Sequence, residues 1–240
     1  MVGREQLRIS AKILGELAQP YFCPRCFWLK MKTGNKLPFQ IFPGIFSSID
    51  AYTKRVVHGW FDDLAEAPLW LRDIGNIVGY IDPPHWSRFQ MRIQDHDILL
   101  TGAADGILKL ADGTIAIIDY KTAKYTQHQG RLLPMYTTQL NGYALIAEHI
   151  KMGTVSKLAL VYAEPVTDNK TARSNVVRTD DGFRMPLAVY IHDVDLHPGG
   201  LEPLFRRARV LYDLPEIPGG RQNCDNCKKL DQLMLLARKL

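Results

Sequence analysis

The chain has 240 residues, 46% hydrophobic, 23% charged and 10% aromatic, proportions that exclude a disordered, collagen-like or low-complexity polypeptide. Lys plus Arg number 30 against 25 Asp plus Glu, and a net charge of +5 permits a nucleic-acid partner without demanding one. No apolar run approaches the ~18 residues of a membrane span, and residues 1–19 carry no signal-peptide core, so a soluble, cytoplasmic protein is expected.

Ile9 to Leu17 is apolar at helical spacing and runs to Pro20. Pro20, Pro24, Pro38 and Pro43 punctuate the next stretch, which reads as irregular. Ile45 to Leu64 reads as a long helix, with Ile49, Tyr52, Val56, Val57 and Trp60 near one face. From Phe89 onward the period becomes that of strands. Three are expected, at Asp97–Thr101, Ala103–Leu110 and Thr114–Lys121, the last two joined by a tight turn at Asp112-Gly113. A helix over Leu133–Met152 follows, then strands at Ser156–Glu164 and Pro186–Val194. A helix at Leu201–Leu214, a loop over Pro215–Asn223 and a last helix at Asp225–Leu240 complete the chain. This order implies a mixed α/β domain with a small central sheet.

All four cysteines fall in two CxxC pairs, Cys23/Cys26 and Cys224/Cys227. A reducing cytosol disfavours disulfides. The i, i+3 spacing lets both sulfurs of a pair reach one ion or cluster, and four thiolates suit zinc or an iron–sulfur centre. Joining the two ends would close a loop around the domain, so the site reads as structural first.

The segment with the most chemistry is Gly102–Thr122, GAADGILKLADGTIAIIDYKT. Asp105 lies near the start of one expected strand and Asp119 near the end of the next. The hairpin brings them together. Strand alternation puts Lys121 on the same face as Asp119. Two carboxylates suit a hard divalent cation such as Mg²⁺, with the Tyr120 carbonyl a further oxygen donor. Lys121 could position the attacking water or stabilise charge on a phosphate. Gln139 and Tyr143 lie at i, i+4 on the following helix, polar in an otherwise apolar pattern.

Asp105, D-Y-K-T at 119–122 and Q-L-N-G-Y at 139–143 together resemble the PD-(D/E)XK nuclease superfamily in its RecB-like branch. The resemblance implies a restriction-endonuclease-like α/β core at about 45–214 in one domain over 1–240. Terminal thiolate segments are then expected at about 9–44 and 215–240. It implies Mg²⁺ or Mn²⁺ on Asp105 and Asp119, with Lys121, Gln139 and Tyr143 completing the catalytic set. His58, in the helix before the sheet, is the candidate for a third protein ligand. AddB-type and CRISPR-associated exonucleases of this branch carry a [4Fe–4S] cluster on four cysteines, one before the core and three after. The arrangement here is two and two, which is also a common zinc pattern, so a [4Fe–4S] cluster on Cys23, Cys26, Cys224 and Cys227 is the expectation, with Zn²⁺ as the alternative.

The function implied is a metal-dependent DNA nuclease acting on single strands or duplex ends, exonucleolytic, in DNA repair or processing. The alternatives are an inactive nucleic-acid-binding module and a subunit that needs a separate helicase; no GxxxxGK[ST] loop is present in the chain. Lys121, Lys124, Lys151, Arg206, Arg207, Arg209, Lys228 and Lys229 are candidates for phosphate contact, and Trp60, Tyr125 and Tyr136 for base stacking.

Overall fold

A computed structural model describes residues 5–34, 37, 43–126 and 130–238 of the chain. Of the expectations above, Pro38 and the final residues 239–240 lie outside the described residues. The chain opens with β1 (Leu7–Ser10), α1 (Ala11–Glu16), α2 (Pro24–Lys32) and α3 (Gly44–Leu64). It continues through β2 (Ile77–Ile81), β3 (Gln90–Ile93), β4 (Ile98–Thr101), β5 (Gly106–Leu110) and β6 (Ile115–Lys121). Next come α4 (Leu133–His149), β7 (Val155–Pro165) and a short α5 (Asn169–Ala172), followed by β8 (Arg178–Thr179), β9 (Gly182–Phe183) and β10 (Leu187–Val194). Two helices, α6 (Glu202–Tyr212) and α7 (Asp225–Ala237), close the described chain.

The expected mixed sheet flanked by helices is present, in the order β10-β7-β6-β5-β2. Strands β6 and β7 run parallel, and the other pairs are antiparallel. Parallel neighbours need a crossover, and α4 provides it. This connection is what lays α4 beside the exit of β6. The run IAIIDY in β6 is wholly buried, and only Lys121 emerges. Alternation sends Ile115 and Ile117 into the core shared with Leu140 and Tyr143 of α4. Ala116, Ile118 and Tyr120 point the other way, onto Val57 and Phe61 of α3.

A second sheet, β1-β4-β3, differs from the expectation of three consecutive strands in one sheet. Strand β4 pairs with β1 in parallel and with β3 in antiparallel, not with β5. Residues 102–105 break the chain between the two sheets. At Gly102 a Cβ would lie 2.8 Å from both Phe89 and Tyr143, so the backbone there must pass close under two rings.

The amino-terminal part also departs from expectation. Leu7–Ser10 is a strand rather than the lead-in to a helix; its alternation spans only four residues, and its partner β4 lies about ninety residues away. The Ser10 hydroxyl then accepts from the Ile13 N–H at 3.2 Å and starts α1. The stretch around Cys23 and Cys26 is helical. Pro24 occupies the first turn, where its missing N–H costs nothing.

Helices α1 and α4 touch backbone to backbone. A Cβ on Gly15 would sit 2.4 Å from the Met135 carbonyl oxygen, and one on Gly142 would sit 2.7 Å from the Ala11 Cβ. Buried Asn141 ties α4 to the segment after β10. Its amide nitrogen donates to the Asp195 carbonyl at 2.9 Å, and its Oδ1 accepts from the His197 N–H at 2.6 Å.

Candidate active site and thiolate centre

Asp119 is 2% exposed at the end of β6. Its Oδ1 accepts from the Gln139 amide at 2.8 Å, and the same nitrogen lies 2.8 Å from the Tyr143 hydroxyl. Its Oδ2 is paired with the Lys121 ammonium and meets no other donor. Burial pushes the Asp119 carboxyl up to about 6; the Lys121 ammonium opposes that rise and the Asp105 charge adds to it. The Lys121 ammonium also lies 4.1 Å over the Tyr136 ring.

Asp105 stands just before β5. Its Oδ2 accepts from the Tyr120 backbone N–H at 3.1 Å, which locks it against the neighbouring strand. Its Oδ1 accepts from Lys54 of α3 at 2.9 Å. The same ammonium pairs with Asp50 at 3.0 Å, one helical turn earlier. Burial works against the Lys54 charge, but the two carboxylates outweigh it and hold the pKa above its ordinary value.

Asp50, Asp105, Asp119, Tyr120, Lys121, Gln139 and Tyr143 all line one cavity of ≈ 590 Å³, together with Lys12 of α1 and Tyr136. The structure therefore brings together every expected catalytic residue. His58 is not among the cavity's walls. Its ring stacks on Tyr80 with centroids 4.0 Å apart, and Asp50, eight residues earlier on the same helix, lines the cavity. Eight residues is about 12 Å of helix, and that rise separates the two side chains. Asp50, Lys54 and Lys12 were not singled out from the sequence. The i, i+4 pair Asp50/Lys54 was the available signal.

Several expected nucleic-acid contacts are engaged elsewhere. Arg209 is buried, pairs with Asp213 and donates to the Glu5 carbonyl at 2.8 Å, so it does not face solvent. Arg207 donates to the Leu17 carbonyl at 3.0 Å and lies over the Phe22 ring. Tyr125 stacks on Tyr190 with centroids 4.9 Å apart.

The four cysteines also meet. Their sulfurs all lie within 4.8 Å of one another, with Cys23, Cys224 and Cys227 buried and Cys26 half-buried. Burial resists ionisation of Cys23, but the N–H groups of Arg221 and Cys26 outweigh it and bring the thiol down to about 7. Burial pushes Cys227 up to about 11 and Cys26 higher still.

The model of a family described as the PD-(D/E)XK nuclease superfamily matches residues 50–228. The chain belongs to the PD-(D/E)XK nuclease superfamily. The matched span takes in Asp50, Asp105, Asp119 and the second CxxC pair, whereas Lys12, Cys23 and Cys26 precede it. A solved structure entitled "Crystal structure of SSO0001" is similar at 14% identity over 89% of this chain and 81% of that one, with a TM-score of 0.39. No curated protein matches. Among the described residues, no helix is long and apolar enough to cross a membrane.

Members of a nuclease superfamily use divalent metal, and this PD-(D/E)XK cavity offers donors of the right kind. All of its acidic donors are carboxylate oxygens, which suit Mg²⁺ or Mn²⁺ rather than a thiophilic ion. Asp119 and Asp105 bring two of these carboxylates to the cavity from the ends of neighbouring strands.

Proposed function

We propose that this chain is a divalent-metal-dependent deoxyribonuclease that hydrolyses phosphodiester bonds. The observation that carries this is the convergence of Asp105, Asp119 and Lys121 on one cavity wall at the exit of a buried strand, with the Asp119 Oδ2 paired to the Lys121 ammonium. Asp119 and Asp105 are the proposed metal ligands, joined by the Tyr120 carbonyl. Asp50 takes the place expected of His58.

A bound Mg²⁺ or Mn²⁺ supplies a Lewis acid for the phosphoryl oxygen and lowers the pKa of a coordinated water. The protein's own groups do the rest. Gln139 fixes Oδ1 of Asp119 and so holds Oδ2 beside Lys121. Lys121 orients the attacking water and offsets negative charge growing on the phosphate. Lys12, which also lines the cavity, supplies a further positive charge to meet a phosphate. The buried Tyr143 hydroxyl holds the Gln139 amide in line. DNA as substrate and attack from its ends rest on the RecB-like resemblance of the DYKT and QLNGY segments.

The test is cleavage of end-labelled single- and double-stranded DNA with Mn²⁺, comparing the wild type with Asp119→Ala. Cleavage by the wild type alone supports the assignment, and the product ladder reports polarity. Inert wild type, with DNA binding intact, would establish the binding-module or helicase-dependent reading instead.

A further inference from the structure

Each CxxC pair opens a helix: Cys23 caps α2 and Cys224 caps α7, with Cys26 and Cys227 one turn in. The closest sulfur separations are 3.5 Å for Cys23–Cys227 and 3.6 Å for both Cys26–Cys224 and Cys26–Cys227. No pair exceeds 4.8 Å. Four thiolates about 2.3 Å from one ion stand roughly 3.8 Å apart at the corners of a tetrahedron. An iron–sulfur core inserts several metals and sulfides between its thiolates and spreads those of a cubane to roughly 6 Å. The sulfurs here fit the first arrangement and not the second.

The surroundings hold them at that spacing. Arg25 of α2 grips Asp231 of α7 with two hydrogen bonds, at 3.1 and 2.6 Å, and braces the two helices together. The Arg221 N–H donates to the Cys23 sulfur at 3.2 Å. A Cβ on Gly220 would come within 2.9 Å of the Cys227 sulfur, so the backbone is pressed against the site on that side. We propose that Cys23, Cys26, Cys224 and Cys227 form a closed, mononuclear tetrahedral site for Zn²⁺, in place of the iron–sulfur cluster that the resemblance implied. Four protein ligands leave no open position, so the ion is structural and does no redox chemistry.

The test is metal analysis and visible spectroscopy of the full chain, purified without oxygen from cells supplied with both iron and zinc. About one zinc per chain, a colourless solution and four sulfurs around the ion in zinc-edge X-ray absorption are expected. A brown protein carrying several irons and acid-labile sulfide per chain overturns the proposal, as does a chain holding neither metal. Cys26→Ser should lose the zinc. If that variant is insoluble, titrating the wild type with an organomercurial should release one zinc per four thiols, read with a chromophoric chelator; release of iron, or of nothing, overturns the assignment. Asp119→Ala should keep its zinc in full, which separates this proposal from the nuclease reading.

Discussion

Gln139 grips Asp119 from the crossover helix, its amide nitrogen donating to Oδ1 at 2.8 Å. The carboxylate therefore has one oxygen held by the Gln139 amide and the other by the Lys121 ammonium. Hydrogen-bonding partners of metal ligands commonly carry 10–100-fold in affinity or activity. Gln139→Leu should lower DNA cleavage by about that factor and raise the Mn²⁺ concentration needed for half-maximal rate, with the fold retained. A Mn²⁺ titration of cleavage, with circular dichroism as the control, checks this.

The buried carboxyl of Asp119 also fixes a pH dependence. Its folded pKa of about 6 lies above the ordinary 3.8, so the folded chain binds more protons than the unfolded one. The associated stability is fully present below pH 3.8 and lost as pH rises through about 6, a change of about 3 kcal/mol at 1.36 kcal/mol per unit. Divalent ions require the ionised form and act in the opposite sense. Denaturant unfolding of the metal-free protein between pH 4.5 and 7.5 should show this slope, and Asp119→Asn should flatten it. Stabilisation by Mn²⁺ should fade below about pH 6.

Lys54 is the internal counter-ion of Asp50 and Asp105. Removing it leaves two partly buried carboxylates at the cavity without their shared cation. Lys54→Met should destabilise the metal-free protein by about 1–3 kcal/mol. The same variant should show a larger rise in melting temperature than the wild type when Mn²⁺ is added, because the ion then neutralises charge that Lys54 no longer covers. A Mn²⁺ response equal to or below that of the wild type would argue against Asp50 and Asp105 sharing a cation.

Gly15 packs α1 against the Met135 carbonyl of α4 at a distance that leaves no room for a methyl group. Helix propensity favours alanine over glycine by about 1 kcal/mol, but the clash with the Met135 carbonyl is backbone against side chain and must move a helix. Gly15→Ala should therefore lose about 1–3 kcal/mol of stability. It should also lower cleavage, since Gln139 lies one turn beyond Met135. Chemical denaturation and a single-turnover assay check the two effects.

The site was legible in the sequence where its signals are local. The Asp112-Gly113 turn is formed, with Asp112 Oδ1 accepting from the Thr114 N–H at 2.9 Å, and it delivers Asp105 to the backbone of Tyr120 as the hairpin reading required. Helical spacing placed Gln139 and Tyr143 on one face of α4. Non-local pairing was not legible. Strand β2, IVGYI, is half-buried without a period-2 pattern, and β1 alternates over only four residues with a partner far along the chain, too short a run to stand out from the helix that follows. Asp50 was missed because its helix was read for a histidine, and a lone aspartate on a solvated helix face looks ordinary until β5 lies beside it. The four cysteines showed which residues meet, but their spacing in sequence says nothing of the distance between sulfurs.

The thiolate centre draws its ligands from opposite ends of the polypeptide, and this makes the fold a natural split protein. Residues 180 and 181 are exposed at the tip of the β8–β9 hairpin. A protease cut there would yield one fragment carrying Cys23 and Cys26 and another carrying Cys224 and Cys227. Strand β10 would stay paired to β7, and one shared ion would rivet the halves. Two separately produced fragments should then reassemble in the presence of that ion and part when a chelator removes it.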